Sequence, residues 1–244
     1  MIKYISFICL FLVLFCASCD RPSGPVSDGA VNEGTRKTYR KNGELLSEAN
    51  YKSGKLHGVS KNFYLNGNVH NLITYKDGVK DGLVQTYYKN GILNRETTYK
   101  EGKMHGYQKK FFKDGKLSSE QNYKDDYPGA LKEFSSNGKP ITKFPELVIT
   151  PMNNINATGE YILEVTFSEN GGRALYYDGD LIDGEFFDEA NVLRLAQRQG
   201  VAQMRIKVNK GEVINETVNI IGVLKTPRRN QYIIQKEYKV KVKG

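Results

Sequence analysis

The chain of 244 residues contains no tryptophan, only three histidines, and three cysteines that all fall within its first nineteen positions. It has a single long apolar run, at the N-terminus. These scarcities exclude several classes of protein. A multi-span membrane protein needs several runs of about 20 apolar residues. A thiolate metal centre needs cysteines spread through the mature fold. Disorder throughout is excluded from the other side, because 11% aromatic residues is too much apolar surface to leave in water. The length suits one or two domains, each able to bury a core.

The apolar run reads as an address. Residues 1–19 are MIKYISFICLFLVLFCASC, with Lys3 ahead of an apolar stretch over 4–16 and small residues Ala17 and Ser18 before Cys19. That is the pattern of a secretory signal, too short for a membrane span. The stretch Cys16-Ala17-Ser18-Cys19 resembles the lipobox of bacterial lipoproteins, with Cys16 where leucine is usual. The resemblance implies that residues 1–18 are removed and that Cys19 becomes an acylated N-terminus. Two or more acyl chains hold a protein stably on a bilayer. The expected location is therefore the bacterial cell envelope, at the inner or the outer membrane. With Cys9 and Cys16 removed and Cys19 acylated, the mature chain has no free thiol for a disulfide, a nucleophile or a metal. Residues 19–33, rich in Pro, Gly, Ser and acidic side chains, read as a flexible tether.

A repeat follows. Gly43, Gly67, Gly91, Gly115 and Gly138 each follow Asn or Asp, at spacings of 24, 24, 24 and 23 residues. A tyrosine lies eight residues after each of the first four: Tyr51, Tyr75, Tyr99 and Tyr123. An aromatic lies four residues before all five: Tyr39, Phe63, Tyr87, Phe111 and Phe134. Asn-Gly between alternating strands predicts a two-residue type I′ hairpin turn. Each repeat is then two strands, and residues 34–142 form a meander of about nine strands, roughly 43 Å long at ~4.8 Å per strand.

Strand alternation assigns faces. Counted from the turn glycine, the aromatics, Leu45, Val69, Leu93 and Leu117, and the tyrosines all sit at even offsets. The expected interaction face is thus Phe63, Tyr75, Tyr87, Tyr99, Phe111 and Tyr123 together. The odd offsets carry Glu48, Glu96 and Glu120, and a basic column of Lys52, Lys76, Lys100 and Lys124. A bulge would flip part of this assignment.

Tyr-Lys-x-Gly-x-x-x-Gly, as in YKDGVKDG (75–82) and YKEGKMHG (99–106), resembles the MORN-variant repeat of bacterial envelope and secreted proteins. The resemblance implies a single-layer antiparallel sheet. MORN repeats are linked to protein interaction and to membrane lipids; many proteins with the variant are catalogued as antitoxins, a label at odds with export. The fourth repeat departs from the pattern: YKDDYPGA (123–130) replaces a glycine with Asp126 and adds Pro128, as a capping repeat does.

Residues 143–244 lose the repeat. Period-2 runs at Tyr161–Phe167, 202–208 and 238–242, separated by turn residues, predict an immunoglobulin-like β-sandwich without the usual Cys pair or Trp. Residues 191–199 read as a short helix or a further strand. The fold class expected is all-β: a meander sheet followed by a sandwich.

No catalytic constellation stands out. His57 and His105 share one repeat position and read as turn residues, without a paired nucleophile or metal. Asp178, Asp180, Asp183, Glu185, Asp188 and Glu189 are hard ligands of the type that binds Ca²⁺, but their spacing matches no known loop and favours a solvated acidic turn. No cofactor is expected. Residues 34–142 hold 20 Lys and Arg against 11 Asp and Glu, whereas residues 143–244 hold 14 against 13. Three readings of the basic sheet compete: a solvated face, attraction to anionic lipid or glycan, and an acidic protein partner. Nucleic acid does not suit an exported chain. The leading expectation is a non-enzymatic, membrane-anchored scaffold for another envelope protein; the alternative is a module for anionic lipid or glycan.

Overall fold

The computed structural model describes residues 26–27, 32–169 and 174–244. The signal sequence, Cys19 and most of the tether lie outside the described residues. The repeat region is one antiparallel meander. Its longer strands are Gly34–Tyr39, Leu45–Lys52, Gly58–Phe63, Val69–Lys76, Val79–Tyr87, Leu93–Lys100, Lys103–Phe111, Leu117–Lys124 and Tyr127–Phe134. Short pairings at Val26–Ser27, Lys55–Leu56 and Pro140–Ile141 extend it to twelve strands. Consecutive strands pair, as local hairpin chemistry requires.

The two kinds of turn are the reverse of the sequence expectation. Type I′ geometry, with φ > 0 at both central residues, occurs at Asp77-Gly78 (φ 51° and 92°) and Glu101-Gly102 (φ 50° and 87°), after the Tyr-Lys pair. The Asn-Gly positions close three-residue loops instead. In one, the Gly91 N–H donates to the Tyr88 carbonyl at 2.9 Å, and the Tyr88 N–H to the Ile92 carbonyl at 2.8 Å. Only Gly91 has positive φ there, as in a type I turn with a following bulge. The asparagine acts through its side chain, whose Oδ1 accepts the N–H two residues on. Asn42, Asn66, Asn90, Asp114 and Asn137 all make this bond, at 3.1–3.2 Å. An Asx turn explains Asn and Asp equally well.

The bulge corrects the faces. Tyr87 faces Leu93, yet Thr86 faces Arg95, so Asn94 is an extra residue and the strand changes parity after it. The same shift occurs after Leu45, Val69 and Leu117. Phe63, Tyr87 and Phe111 therefore lie on one face, while Tyr75, Tyr99 and Tyr123 lie on the other. The expected single aromatic face is split. Tyr51, Tyr75, Tyr99 and Tyr123 make a tyrosine face. Phe63, Tyr87 and Phe111 share the opposite, lysine face with Glu48, Glu96 and Glu120 and with the Lys52, Lys76, Lys100, Lys124 column. Side-chain contacts agree: the Tyr87 hydroxyl donates to Gln85 at 3.0 Å, and Gln85 donates to Glu96 at 2.8 Å.

The last period is shorter by one residue, and a smaller bulge absorbs the difference. Thr97 faces Gln108 and Tyr99 faces Met104, leaving three residues opposite Thr98. Gln121 faces Leu131 and Tyr123 faces Pro128, leaving two opposite Asn122.

The C-terminal region is a sandwich of two four-stranded sheets. One sheet orders Leu147–Asn154, Glu160–Phe167, Val201–Lys207 and Gln197–Arg198; the other orders Leu193–Arg194, Ala174–Asp178, Val213–Lys225 and Gln231–Lys243. This is the ABED and CFG arrangement of an immunoglobulin sandwich with one short strand added. Residues 191–199 are neither one helix nor one strand. They form two strand fragments that cross from one sheet to the other. Between the sheets lie Leu163, Val165, Tyr176, Ile220 and Val240, all fully buried. Gly222 makes room for Phe167, since a Cβ there would come within 2.7 Å of the ring.

Candidate functional site

The lysine face has four parallel rows. Along the Asn-Gly loops run the aromatics and the aliphatics paired with them, Phe63 with Val69, Tyr87 with Leu93 and Phe111 with Leu117. Next is a charged row in which Lys37 meets Glu48 at 3.5 Å, and Glu120 meets Lys109 at 3.7 Å and Lys132 at 3.9 Å. A third row alternates threonine with apolar residues: Val59 faces Thr74 and Leu83 faces Thr98. In this row Val59, Leu83 and Tyr107 are 41%, 39% and 50% exposed. The fourth row, beside the I′ turns, is the lysine column. Val79, 47% exposed, pairs with Lys76 within it. Four of the sheet's exposed large apolar side chains thus border the lysines.

The tyrosine face is built differently. Tyr75, Tyr99 and Tyr123 stand opposite Gly58, Gly82 and Gly106. A ring beside a bare glycine covers backbone that would otherwise be wet. Cations sit over two of the rings: Arg36 is 4.9 Å from the Tyr51 centroid and Lys80 is 5.0 Å from that of Tyr99. Burial raises the pKa of Tyr75, with Tyr51 adding to it. Burial likewise raises that of Tyr123, against the opposing pull of Arg95.

Successive repeats are tied along both edges. The Gly78 and Gly102 N–H groups donate to the carbonyls of Leu56 and Lys80 at 2.8 Å. On the other edge the Tyr64 hydroxyl reaches the Tyr87 carbonyl at 2.7 Å, and Tyr88 reaches that of Phe111 at 2.8 Å. His57 and His105 belong to this scaffolding, with Nδ1 groups 3.4 Å from Asp77 and 3.2 Å from Asp125, each a turn residue of the next repeat.

The sandwich docks on the last hairpin from two directions. On the tyrosine face, buried Glu133 accepts from Thr226 at 2.7 Å, Asn230 at 2.6 Å and Arg228 at 3.2 Å. The Gln121 amide reads the backbone of Gln231, donating to its carbonyl at 2.7 Å and accepting its N–H at 3.4 Å. Lys110 donates to Asn230 at 2.7 Å. Burial and then the charge of Arg95 lower the Lys110 pKa, partly countered by Glu133. At the sheet edge, the Phe187 N–H donates to the Pro128 carbonyl at 2.9 Å, and Phe186 packs on Gly129. On the lysine face, Asp183 pairs with Lys124, and Glu185 accepts from Asn122 at 3.1 Å. Asp183 raises the Lys124 pKa by hydrogen bonding and by charge.

These contacts disperse the acidic residues of 178–189. Asp180 accepts from Asn219, Asp188 from the Ala190 N–H, and Glu189 from Tyr177, whose hydroxyl is pushed up to about 12 by burial and by that bond. The carboxylates point to separate partners and converge on no common centre. A cleft of about 720 Å³ lies between the last repeat strand and the sandwich, lined among others by Glu133, Phe144, Lys225 and Arg228. Glu133, Gln121, Lys110 and Asn230 were not legible as an interface. Pro128 and Gly129, which break the fourth repeat, were the available sign of a docking edge.

The MORN repeat variant matches residues 32–53, 56–77, 80–101 and 104–125. The chain carries four MORN-variant repeats. Each matched unit is one hairpin around an Asn-Gly or Asp-Gly loop, and the units meet at the I′ turns. The final MORN-variant unit contains Lys110, Gln121, Asn122 and Lys124 of the docking contacts, and Pro128, Gly129 and Glu133 follow it. No curated protein matches the chain.

Proposed function

We propose that the protein is a non-enzymatic binding scaffold, held at the cell envelope by lipid on Cys19, that presents its MORN-variant sheet to another envelope protein. One observation carries the reading. The sandwich's polar contacts begin at Lys110, on the tyrosine face, whereas the exposed Val59, Val79 and Leu83 lie on earlier strands and the exposed Tyr107 on the opposite face of the Lys110 strand. A row of exposed apolar side chains interleaved with small polar ones, beside a cationic column, is surface suited to an interaction site.

In-cell cross-linking of the full lipoprotein followed by high-salt purification tests this. A stoichiometric protein partner, lost when residues 34–142 are deleted, is the expected result; recovery of the chain alone overturns it. Cys19→Ser should move the protein from the membrane to the soluble fraction, and unchanged retention contradicts the anchor. The excess of basic residues in 34–142 favours a second reading, attraction to anionic lipid or glycan. Such charge-driven binding weakens steeply with ionic strength, and an interface with apolar contacts weakens less.

A further inference from the structure

We propose that the lysine face docks an acidic segment of a protein partner bearing Phe or Leu between its carboxylates, as its last repeat already holds the chain's own loop 180–189. This deepens the scaffold reading and rests on it. The loop reads DLIDGEFFDE, with carboxylates interleaved with apolar residues. Asp183 takes Lys124, Glu185 takes Asn122, and Phe186 settles against Gly129, where a Cβ would lie 2.9 Å from the ring.

The receiving positions recur every 24 residues. Lys124 corresponds to Lys100, Lys76 and Lys52; Asn122 corresponds to Thr98, Thr74 and Asn50. Lys52, Lys76 and Lys100 are exposed and, among the described residues, carry no ion pair. Beside them stand Val59, Leu83 and Tyr107, the exposed apolar row. The upstream repeats therefore offer the cation and the small polar side chain that take Asp183 and Glu185 at the last repeat, and in place of the Pro128 and Gly129 edge that takes Phe186 and Phe187 they offer the exposed apolar row. The apolar row favours a protein over a polyanion. Val59, Leu83 and Tyr107 stand exposed beside the lysines and give a continuous negative surface nothing to bind, whereas a segment with Phe or Leu between spaced carboxylates meets both rows.

The test uses the full lipoprotein in detergent and a fluorescent peptide copying residues 178–190. Saturable binding is expected. The triple variant Lys52→Glu, Lys76→Glu, Lys100→Glu should weaken it about tenfold or more, whereas Lys41→Glu, Lys89→Glu, Lys113→Glu, the same charge change on the Asn-Gly and Asp-Gly loops, should change it less than about twofold. A peptide with both phenylalanines replaced by alanine should bind more weakly at equal charge. Equal effects of the two triple variants, undiminished binding of the alanine peptide, or displacement by phosphatidylglycerol vesicles or polygalacturonate each overturn the proposal. If the glutamate variant melts early, glutamine at the same positions replaces it. Recovery of the unaltered protein with no cross-linked partner refutes the scaffold; a partner retained by the lysine variant refutes only this docking site.

Discussion

The two halves of this molecule use the same strand chemistry and hold together in different ways. Among the described residues, every large apolar side chain that is fully buried lies between Leu147 and Val240, in the sandwich. In the repeat sheet, apart from Pro128 and Gly129 at the docking edge, the buried residues are Thr97, Ser118, Ser119, Gln121 and Glu133, all polar. The sandwich closes two sheets over one core. Among the described residues the repeat sheet has no second layer, and each hairpin leans on its neighbours through turn-to-turn hydrogen bonds and facing rows. Such an array is nearly one-dimensional in its energetics. It leaves both faces of the earlier repeats available, and that availability is the property a scaffold needs.

The largest expected effect tests this contrast directly. Leu163→Ala, in the sandwich core, should cost about 2–5 kcal/mol, since it removes buried surface and leaves a cavity. Leu72→Ala removes the same atoms from the half-buried charged row, where solvent fills the space, and should cost less than about 1 kcal/mol. Native-state hydrogen exchange resolves the two regions. Equal losses would show that the sheet has a core of its own.

Next in size is the junction. Glu133→Gln keeps the shape but replaces a carboxylate that accepts three bonds, including one from Arg228. A loss of about 1–3 kcal/mol is expected, read as earlier exchange of the last hairpin and of the loop at Thr226–Asn230 together. If the loop alone loosens, the junction does not couple the halves.

Much of this contrast was legible in the sequence. The period of 24, the change at residue 143 and the sandwich strands follow from local rules and alternation. The face assignment failed at one place in each repeat. A bulge after Leu93 or Val69 changes parity while leaving the spacing of every repeated column intact, and alternation has no means to detect it. The turns failed for a related reason. Asn before Gly suits a positive φ, yet here it is used for an Asx bond to the residue two ahead. The true I′ turns use Ser53, Asp77, Glu101 and Asp125 at their first position, residues of no common type, followed by glycine in three cases and by Asp126 in the last. The junction was invisible because Glu133 and Asn230 are 97 residues apart and polar, so neither periodicity nor hydrophobicity marks them.

The smallest effect probes how repeats hold one another. Tyr64→Phe and Tyr88→Phe delete only the hydroxyls that reach the next repeat's carbonyl. Each should cost about 0.5–1.5 kcal/mol, the net value of one hydrogen bond. In a one-dimensional array the loss stays local: exchange should quicken at the affected hairpin and its neighbour and leave the sandwich unchanged. The protein contains its own control. Position 112, the next in the series, is already phenylalanine; it has no hydroxyl to give, and the Arg228 guanidinium lies 5.8 Å from its ring centroid instead. Arg228→Ala should therefore loosen the Phe112 loop as well as the Glu133 junction, whereas Tyr88→Phe should leave that junction intact. If Tyr64→Phe destabilised the sandwich as much as its own hairpin, the two halves would form one cooperative unit and the contrast between them would fail.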